Sequence, residues 1–263
     1  MVEILRTNKI IKTYTYLILV FLWIPLFVIL SSSFTKTNFI SFPPELFSLK
    51  WWMKFIATDT YKRSTWLSIR ISTIVAPISL IIGLLSSIVL VRYRFKGRNL
   101  FKIFFNMPYT IPQVVFALSA LLFFTSFGHI NIIHFIICHI IITLPFNIKI
   151  ISASLQLTDP NLEKSARVLG ANEITSFYKI TLPLIKPGLI GAFLHTFLSS
   201  FNNTTIAIFI GTPKLWTLPA RIFSEIEFHA YPDLVAAASF SMILSFIFML
   251  LIHKYIGISS LYK

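Results

Sequence analysis

Side chains that could carry out catalysis or bind a metal are few in this chain. Its 263 residues include six histidines, one cysteine and nine acidic residues. His134 and His139 lie five positions apart, which places the two rings poorly on one face of a helix. Cys138, inside an apolar run, can form neither an intrachain disulfide nor a CxxC site. We therefore predict no catalytic residue, no metal site and no cofactor in this chain.

Short motifs for hydrolysis or nucleotide binding are also missing from the sequence. It contains no HExxH or GxSxG motif, no paired acidic cluster and no G-x-x-x-x-G-K-[ST] phosphate loop. We therefore predict that the chain is not an enzyme and cannot hydrolyse ATP alone. None of its acidic residues lies centrally in an apolar segment. This argues against a secondary transporter or channel, which would use an intramembrane carboxylate for ion coupling, but that class remains the alternative.

The composition indicates an integral membrane protein. Hydrophobic residues make up 56% of the chain and charged residues only 12%, whereas a soluble domain is about 25% charged. In a soluble protein the net charge of +14 would suggest a nucleic-acid partner. Here the basic residues cluster between apolar segments and form no continuous soluble face. We therefore predict a lipid bilayer as the surrounding medium and no nucleic acid as a partner.

Six apolar windows approach the roughly 20 residues that a helix needs to cross a bilayer. They cover residues 15–32, 66–91, 106–127, 130–146, 189–210 and 234–252. We predict an all-α, multi-pass membrane protein with six transmembrane helices, folded as a single transmembrane domain over residues 1–263. Residues 34–64 and 211–232 are predicted external loops, and Trp51-Trp52 indicates an interfacial helix in the first of them.

The distribution of lysine and arginine predicts the orientation of these helices. Six spans place both termini on one side, which would carry fifteen of the 23 basic residues and leave eight for the other side. Cytoplasmic loops are enriched in lysine and arginine, so we predict that both termini are cytoplasmic. The basic tract at residues 92–98, between the second and third windows, supports this orientation most strongly.

A polar segment at residues 158–187 interrupts the apolar pattern and predicts two short helices joined at a glycine. Asp159 is suited to cap the first helix, because its carboxylate can accept from exposed N–H groups. Pro160 fits the first helical position, where a missing N–H costs nothing. Gly170 can end that helix in a left-handed conformation.

The second helix of this hairpin is predicted to begin near Asn172 and to stop at Pro183 and Pro187, before the fifth span. The hairpin would have an apolar face and a basic rim. It could lie on the membrane surface as an amphipathic element, or it could dock a soluble partner. The physical pattern of the residues leaves both possibilities open.

The hairpin resembles the EAA signature of permease subunits of binding-protein-dependent ABC importers. That signature has an E-A-A triplet, three residues, Gly-Ala, about five residues, Phe, and then I-x-L-P. The residues that match its second half are Gly170, Ala171, Phe177, Ile180, Leu182 and Pro183. The triplet falls on Lys164-Ser165-Ala166, so a lysine replaces the signature glutamate and Glu163 is the nearest carboxylate.

The resemblance extends over nearly the whole chain and is greatest to the spermidine/putrescine type of permease. The stretches that carry it, besides the hairpin, are residues 33–34, 47–52, 90–98, 217–224 and 236–239. It implies a type I importer permease in the cell inner membrane that forms half of a translocation path for a polyamine or another small solute. The implied partners are an ATPase subunit, a second identical or homologous permease and an external solute-binding protein.

The resemblance also implies which residues act. The ATPase-coupling residues would be Glu163, Lys164, Ser165, Ala166, Gly170, Ala171, Phe177, Ile180, Leu182 and Pro183, with Ala166, Ala171 and Phe177 supplying apolar contact. In the fifth window, Asn202, Asn203 and Thr204 would line the translocation path. Polyamine-type permeases often carry acidic residues at this place, where this chain has two amides. Interhelical hydrogen bonding is the alternative role for these polar groups.

Overall fold

A computed structural model of the chain describes residues 2–212, 215–227 and 231–256. Over those residues the chain forms helices and no strand. The helices are α1 (Val2–Ser32), α2 (Lys50–Ala57), α3 (Asp59–Arg92), α4 (Arg98–Thr110), α5 (Gln113–Thr125), α6 (Ile132–Gln156), α7 (Pro160–Val168), α8 (Glu173–Ser176), a π-helical turn (Phe177–Thr181), α9 (Leu182–Phe201), α10 (Thr205–Ile210), α11 (Leu218–Ile226) and α12 (Pro232–Ile256). Parts of the predicted 211–232 loop lie outside the described residues.

Five of the described helices are long and apolar enough to cross a membrane. These candidate spans are Ile11–Ser32, Asp59–Arg92, Ile132–Gln156, Glu173–Phe201 and Pro232–Lys254. A sixth is formed if α4 and α5, which meet at an angle of 98°, are counted as one broken span. The all-α fold and the six-span prediction are therefore confirmed.

The third span is not the straight helix that was predicted for residues 106–127. It breaks at Ile111, whose backbone is extended, with φ −80° and ψ 134°. The next residue is Pro112, which disfavours a helical conformation at the residue before it and lacks an N–H for the helical ladder. The apolar window detected the hydrophobicity of this span but not the proline break inside it.

The fourth and fifth spans also differ from their predicted windows. The fourth, α6, continues ten residues past the predicted end, because Ile148, Ile151 and Leu155 keep a buried face along it. The prediction that the fifth span covers residues 189–210 is wrong: α9 ends at Phe201, and a break at 202–204 separates it from α10. At its other end this span begins within the hairpin, at Glu173.

The prediction that Pro183 and Pro187 end the second hairpin helix is also wrong. The chain passes from α8 through the π-helical turn into α9 without leaving the helical conformation. Pro183 is the second residue of α9, directly after the π-helical turn. Wide π turns are one way in which a helix accommodates such a perturbation.

The described residues form two compact units. The first contains the residues up to Lys62 and the segment Ile222–Met242. In this unit the Lys54 Nζ lies 2.8 Å from the Asp233 Oδ2. A helix is present at the predicted place as α2, but Trp51 is buried and its indole N–H donates to the Thr37 carbonyl at 3.0 Å. Its indole therefore holds the preceding loop instead of facing outward.

The second unit contains Arg63–Arg221 and the described residues from Ile243 onward. Its central helix is α6, which packs against α4, α5, α9 and α10. Small residues allow close approach there: a Cβ added to Gly188 of α9 would lie 1.8 Å from the Ser154 Oγ of α6. Two buried polar pairs also join α6 to α9, His139 with Ser200 at 2.9 Å and Asn147 with Thr196 at 2.8 Å.

Candidate functional site: a coupling hairpin and two broken helices

The first hairpin helix, α7, begins and ends as predicted. The Asp159 carboxylate accepts from the Asn161 N–H at 2.9 Å, and Pro160 occupies the first turn. At the other end Gly170 is left-handed, with φ +91°. The Gly170 N–H donates to the Arg167 carbonyl at 3.0 Å and the Ala171 N–H to the Ala166 carbonyl at 3.0 Å. These two bonds form a Schellman motif, which stops the helix sharply.

The second arm of the hairpin begins two residues after this glycine. The Asn172 side chain caps α8 by accepting from the Thr175 N–H at 2.7 Å. Across the turn, the Arg167 Nη1 lies 2.8 Å from the Glu173 Oε1. A cap on each arm and an ion pair between them hold the turn in one shape, and the second arm continues directly into α9.

Glu163, the carboxylate nearest to the degenerate triplet, points into the protein. It is half-buried and accepts from the Arg92 Nη2 at 3.2 Å. Glu163 also accepts from the Thr181 hydroxyl in the π-helical turn. The same Arg92 nitrogen donates to the Thr158 Oγ1 at 3.0 Å. Glu163 therefore links both hairpin arms to the end of α3. This structural role was not predicted, because Arg92 and Thr181 are distant from Glu163 in sequence.

The predicted apolar contact residues of the hairpin are not its outermost groups. Ala166, Ala171 and Phe177 are all half-buried. Lys164, Ser165, Gly170 and Pro183 are exposed, while Ile180 and Leu182 are half-buried. The outermost large apolar side chains are Val168 and Leu169, each 87% exposed, with Ile174 at 70% and Tyr178 at 62%. Two adjacent apolar residues directly before Gly170 were a signal in the sequence that could have identified this surface.

A cavity of about 470 Å³ lies between the hairpin arms and the end of α3. Arg92 and Glu163 line it from the inside, and Ile174, Phe177 and Tyr178 line it from the second arm. Its wall combines charged groups with apolar surface. The hairpin is thus a shaped, partly open surface.

The second candidate region is the break between α9 and α10, which contains the predicted path residues. Asn203 is buried: its Oδ1 accepts from the Ile206 N–H at 2.9 Å and so caps α10, while its Nδ2 donates to the Gln113 Oε1 at 3.4 Å. Asn202 is exposed and donates to the Ser245 Oγ at 2.9 Å. Thr204 is half-buried between the two helices. Interrupted helices of this kind form solute sites in many transporters.

Comparison with known families and proteins points to membrane transport. A family model described as the inner membrane component of binding-protein-dependent transport systems matches residues 79–257. Over 227 residues the chain is 29% identical to the putrescine transport system permease protein PotI of Escherichia coli, covering 83% of this chain and 80% of that protein. It is 26% identical over 249 residues to the spermidine/putrescine transport system permease protein PotC of the same organism, covering 94% and 92%.

Solved structures share the fold. An ABC transporter for import of the acidic polysaccharide alginate superposes with a TM-score of 0.73, at 15% identity, covering 95% of each chain. A chain of the MetNI methionine ABC transporter superposes with a TM-score of 0.63, at 17% identity, covering 74% of this chain and 93% of that one.

Proposed function

The chain belongs to the family of inner membrane components of binding-protein-dependent transport systems, and on that premise we propose that it carries a polyamine through the membrane. It is a multi-pass permease subunit of an ABC importer in the inner membrane, and ATP hydrolysis takes place in a separate subunit. The observation that carries the substrate proposal is the similarity to two permeases named for putrescine and spermidine, each covered over at least 80% of its length.

The hairpin at residues 158–183 is the proposed docking element for the ATPase subunit. Two fully protruding apolar side chains, Val168 and Leu169, lie on a turn whose backbone is fixed by Gly170. Burial of such side chains in a partner groove is favourable by about 1.5–3 kcal/mol each. The second arm leads directly into α9, so movement of the docked hairpin would be transmitted along one continuous helix.

The proposed solute path passes the break at 202–204. Asn202 is the exposed amide of this segment and offers hydrogen bonds to a passing solute. Asn203 holds the shape of the break, because its side chain caps α10 and contacts Gln113. Neutral amide and hydroxyl groups would bind the ammonium groups of a polyamine by hydrogen bonds without a fixed negative charge. Weak binding of this kind suits a path from which the solute must also leave.

Transport by the assembled importer tests this proposal. The chain would be reconstituted in proteoliposomes with its ATPase, the second permease and the solute-binding protein, and uptake of labelled putrescine and spermidine would be measured with and without ATP. We expect ATP-dependent uptake of at least one polyamine, with sulfate and ferric iron as control solutes. Saturable uptake of a control solute and no uptake of either polyamine would overturn the substrate assignment.

A further inference from the structure

A basic pocket of about 160 Å³ lies between the end of α3, the start of α4 and the last turns of α6. Three cationic side chains line it, Arg98, Lys102 and Lys149, and no carboxylate is among its lining residues. Within the described part of the chain, none of these three cations forms an ion pair. The pocket is separate from the coupling hairpin and from the break at 202–204. The positive charge of this pocket favours the binding of an anion.

Two of the three cations of this pocket, Arg98 and Lys149, have contacts that hold them in position. The Arg98 Nε donates to the Leu90 carbonyl at 2.8 Å, which anchors the guanidinium and leaves its terminal nitrogens for a ligand. The Lys149 Nζ lies 4.7 Å from the centroid of the Tyr109 ring. Ser152, also in the lining, has a buried hydroxyl with no hydrogen-bond partner among the described residues. Arginine, lysine and hydroxyl donors around one pocket suit the several oxygens of a phosphate group.

An apolar crevice of about 350 Å³ adjoins this pocket. The two share Leu90 and Phe105 as lining residues. Leu85, Val89 and Phe101 are among the other lining residues of the crevice, and all three are exposed on the surface of helices that cross or border the membrane. A small water-soluble anion would use the basic pocket and have no contact with this crevice. A molecule with a phosphate at one end and a hydrocarbon chain at the other would occupy both.

We propose that this composite site binds one anionic phospholipid, with the headgroup phosphate among Arg98, Lys102 and Lys149 and an acyl chain in the crevice. The basic tract at residues 92–98 places the site at the membrane side that the lysine and arginine distribution assigns to the cytoplasm. Anionic lipids give that leaflet its negative surface potential, and basic pockets between membrane helices bind their headgroups. The bound lipid would join α3, α4 and α6 at the end of the bundle from which the coupling hairpin emerges.

Lipid titration of the purified, assembled importer in detergent tests the headgroup half of the site. Fluorescently labelled phosphatidylglycerol would be titrated against the wild type, the pocket variant R98Q/K102Q/K149Q and a control variant, R94Q/K96Q/K12Q, that loses the same charge elsewhere. We expect the pocket variant to bind about a hundredfold more weakly, since each of its three cations contributes about 1 kcal/mol through a charge-assisted bond to the phosphate, which the control residues do not make. The control should remain within about threefold of wild type. Equal binding by the pocket variant and the wild type would overturn the proposal.

A second pair of variants tests the acyl-chain half and separates a lipid from a free anion. V89W fills the crevice, and L122W adds the same ring at an exposed position outside it. We expect V89W to reduce phosphatidylglycerol binding at least tenfold and L122W to leave it unchanged. Inorganic phosphate at millimolar concentration should not displace the lipid. Displacement by phosphate together with normal binding by V89W would identify a free-anion site and refute the lipid assignment. Size-exclusion chromatography of each complex shows that the variants assemble.

Discussion

The amides of Gln113 and Asn203 meet across two interrupted helices, with the Asn203 Nδ2 lying 3.4 Å from the Gln113 Oε1. Gln113 is the first residue of α5, directly after the proline break, and Asn203 lies in the gap between α9 and α10. One contact therefore joins the two places where candidate spans lose their helical backbone.

Removal of the Asn203 side chain should disturb this region more than removal of its neighbour. N203A loses the cap on α10, worth about 1 kcal/mol, and the contact with Gln113, so we expect severalfold slower uptake and a lower melting temperature of the complex. N203S keeps a neutral oxygen that can accept from the first turn of α10, and should retain part of the stability. N202A, at an exposed position, should change the KM for the solute without lowering the melting temperature. Unchanged uptake kinetics in both alanine variants would make the segment merely structural.

Truncation of Leu169 should weaken ATPase binding. L169A removes most of an 87% exposed side chain at the tip of the hairpin, and we expect the Kd for the isolated ATPase subunit to rise about tenfold, given the free energy of burying leucine. L157A is the matched control, because Leu157 is 81% exposed and lies just before the hairpin. Binding measured by surface plasmon resonance that is equally affected in both variants would argue against a specific contact at Leu169.

A branched residue at position 170 should uncouple ATP hydrolysis from transport. Gly170 has φ +91°, and a Cβ there would meet nothing within 4 Å, so the cost of G170V is backbone strain of about 1–3 kcal/mol without a steric clash. We expect membrane insertion to be normal and solute-stimulated ATPase activity to fall at least tenfold. G170N is the control, since asparagine tolerates the left-handed region. Normal coupling of ATP hydrolysis to transport in G170V would contradict the docking proposal.

Substitution of Gly188 should separate α6 from α9. A Cβ at this position would lie 1.8 Å from the Ser154 Oγ and 2.7 Å from its Cβ, so G188A forces the helices apart, at a cost of about 1–3 kcal/mol. We expect a lower melting temperature in detergent. The double variant G188A/S154G removes both clashing atoms and should recover most of the loss. If S154G does not restore the melting temperature, the instability of G188A has a cause other than this contact.

The sequence predicted local features of the site well and non-local ones poorly. Asp159 and Gly170 act through bonds to residues within five positions, so their roles can be read from residue type and spacing. The inward role of Glu163 depends on Arg92, which is 71 positions away. A linear pattern contains no information on that distance in space.

Two prolines show the same limit of prediction from sequence. Pro112 and Pro183 are both prolines within or beside apolar segments, yet the first breaks a helix and the second lies in a helical turn. The difference is the preceding backbone: Ile111 is extended, whereas the residues before Pro183 form a wide π turn. Residue type predicts that a proline perturbs the helix, but the surrounding contacts decide whether the helix ends.

The continuity of α9 with the hairpin has a mechanical consequence. Its 20 residues form a rod about 30 Å long. A tilt of about 10° at the hairpin end displaces the far end, next to Asn202, by about 5 Å at that length. Such a displacement exceeds the 2.9 Å length of the Asn202–Ser245 hydrogen bond, so movement of a docked hairpin, as proposed above, would be able to break that contact without unwinding α9. On the proposed function, the docking surface and the solute path would then lie at the two ends of one helix and would move together.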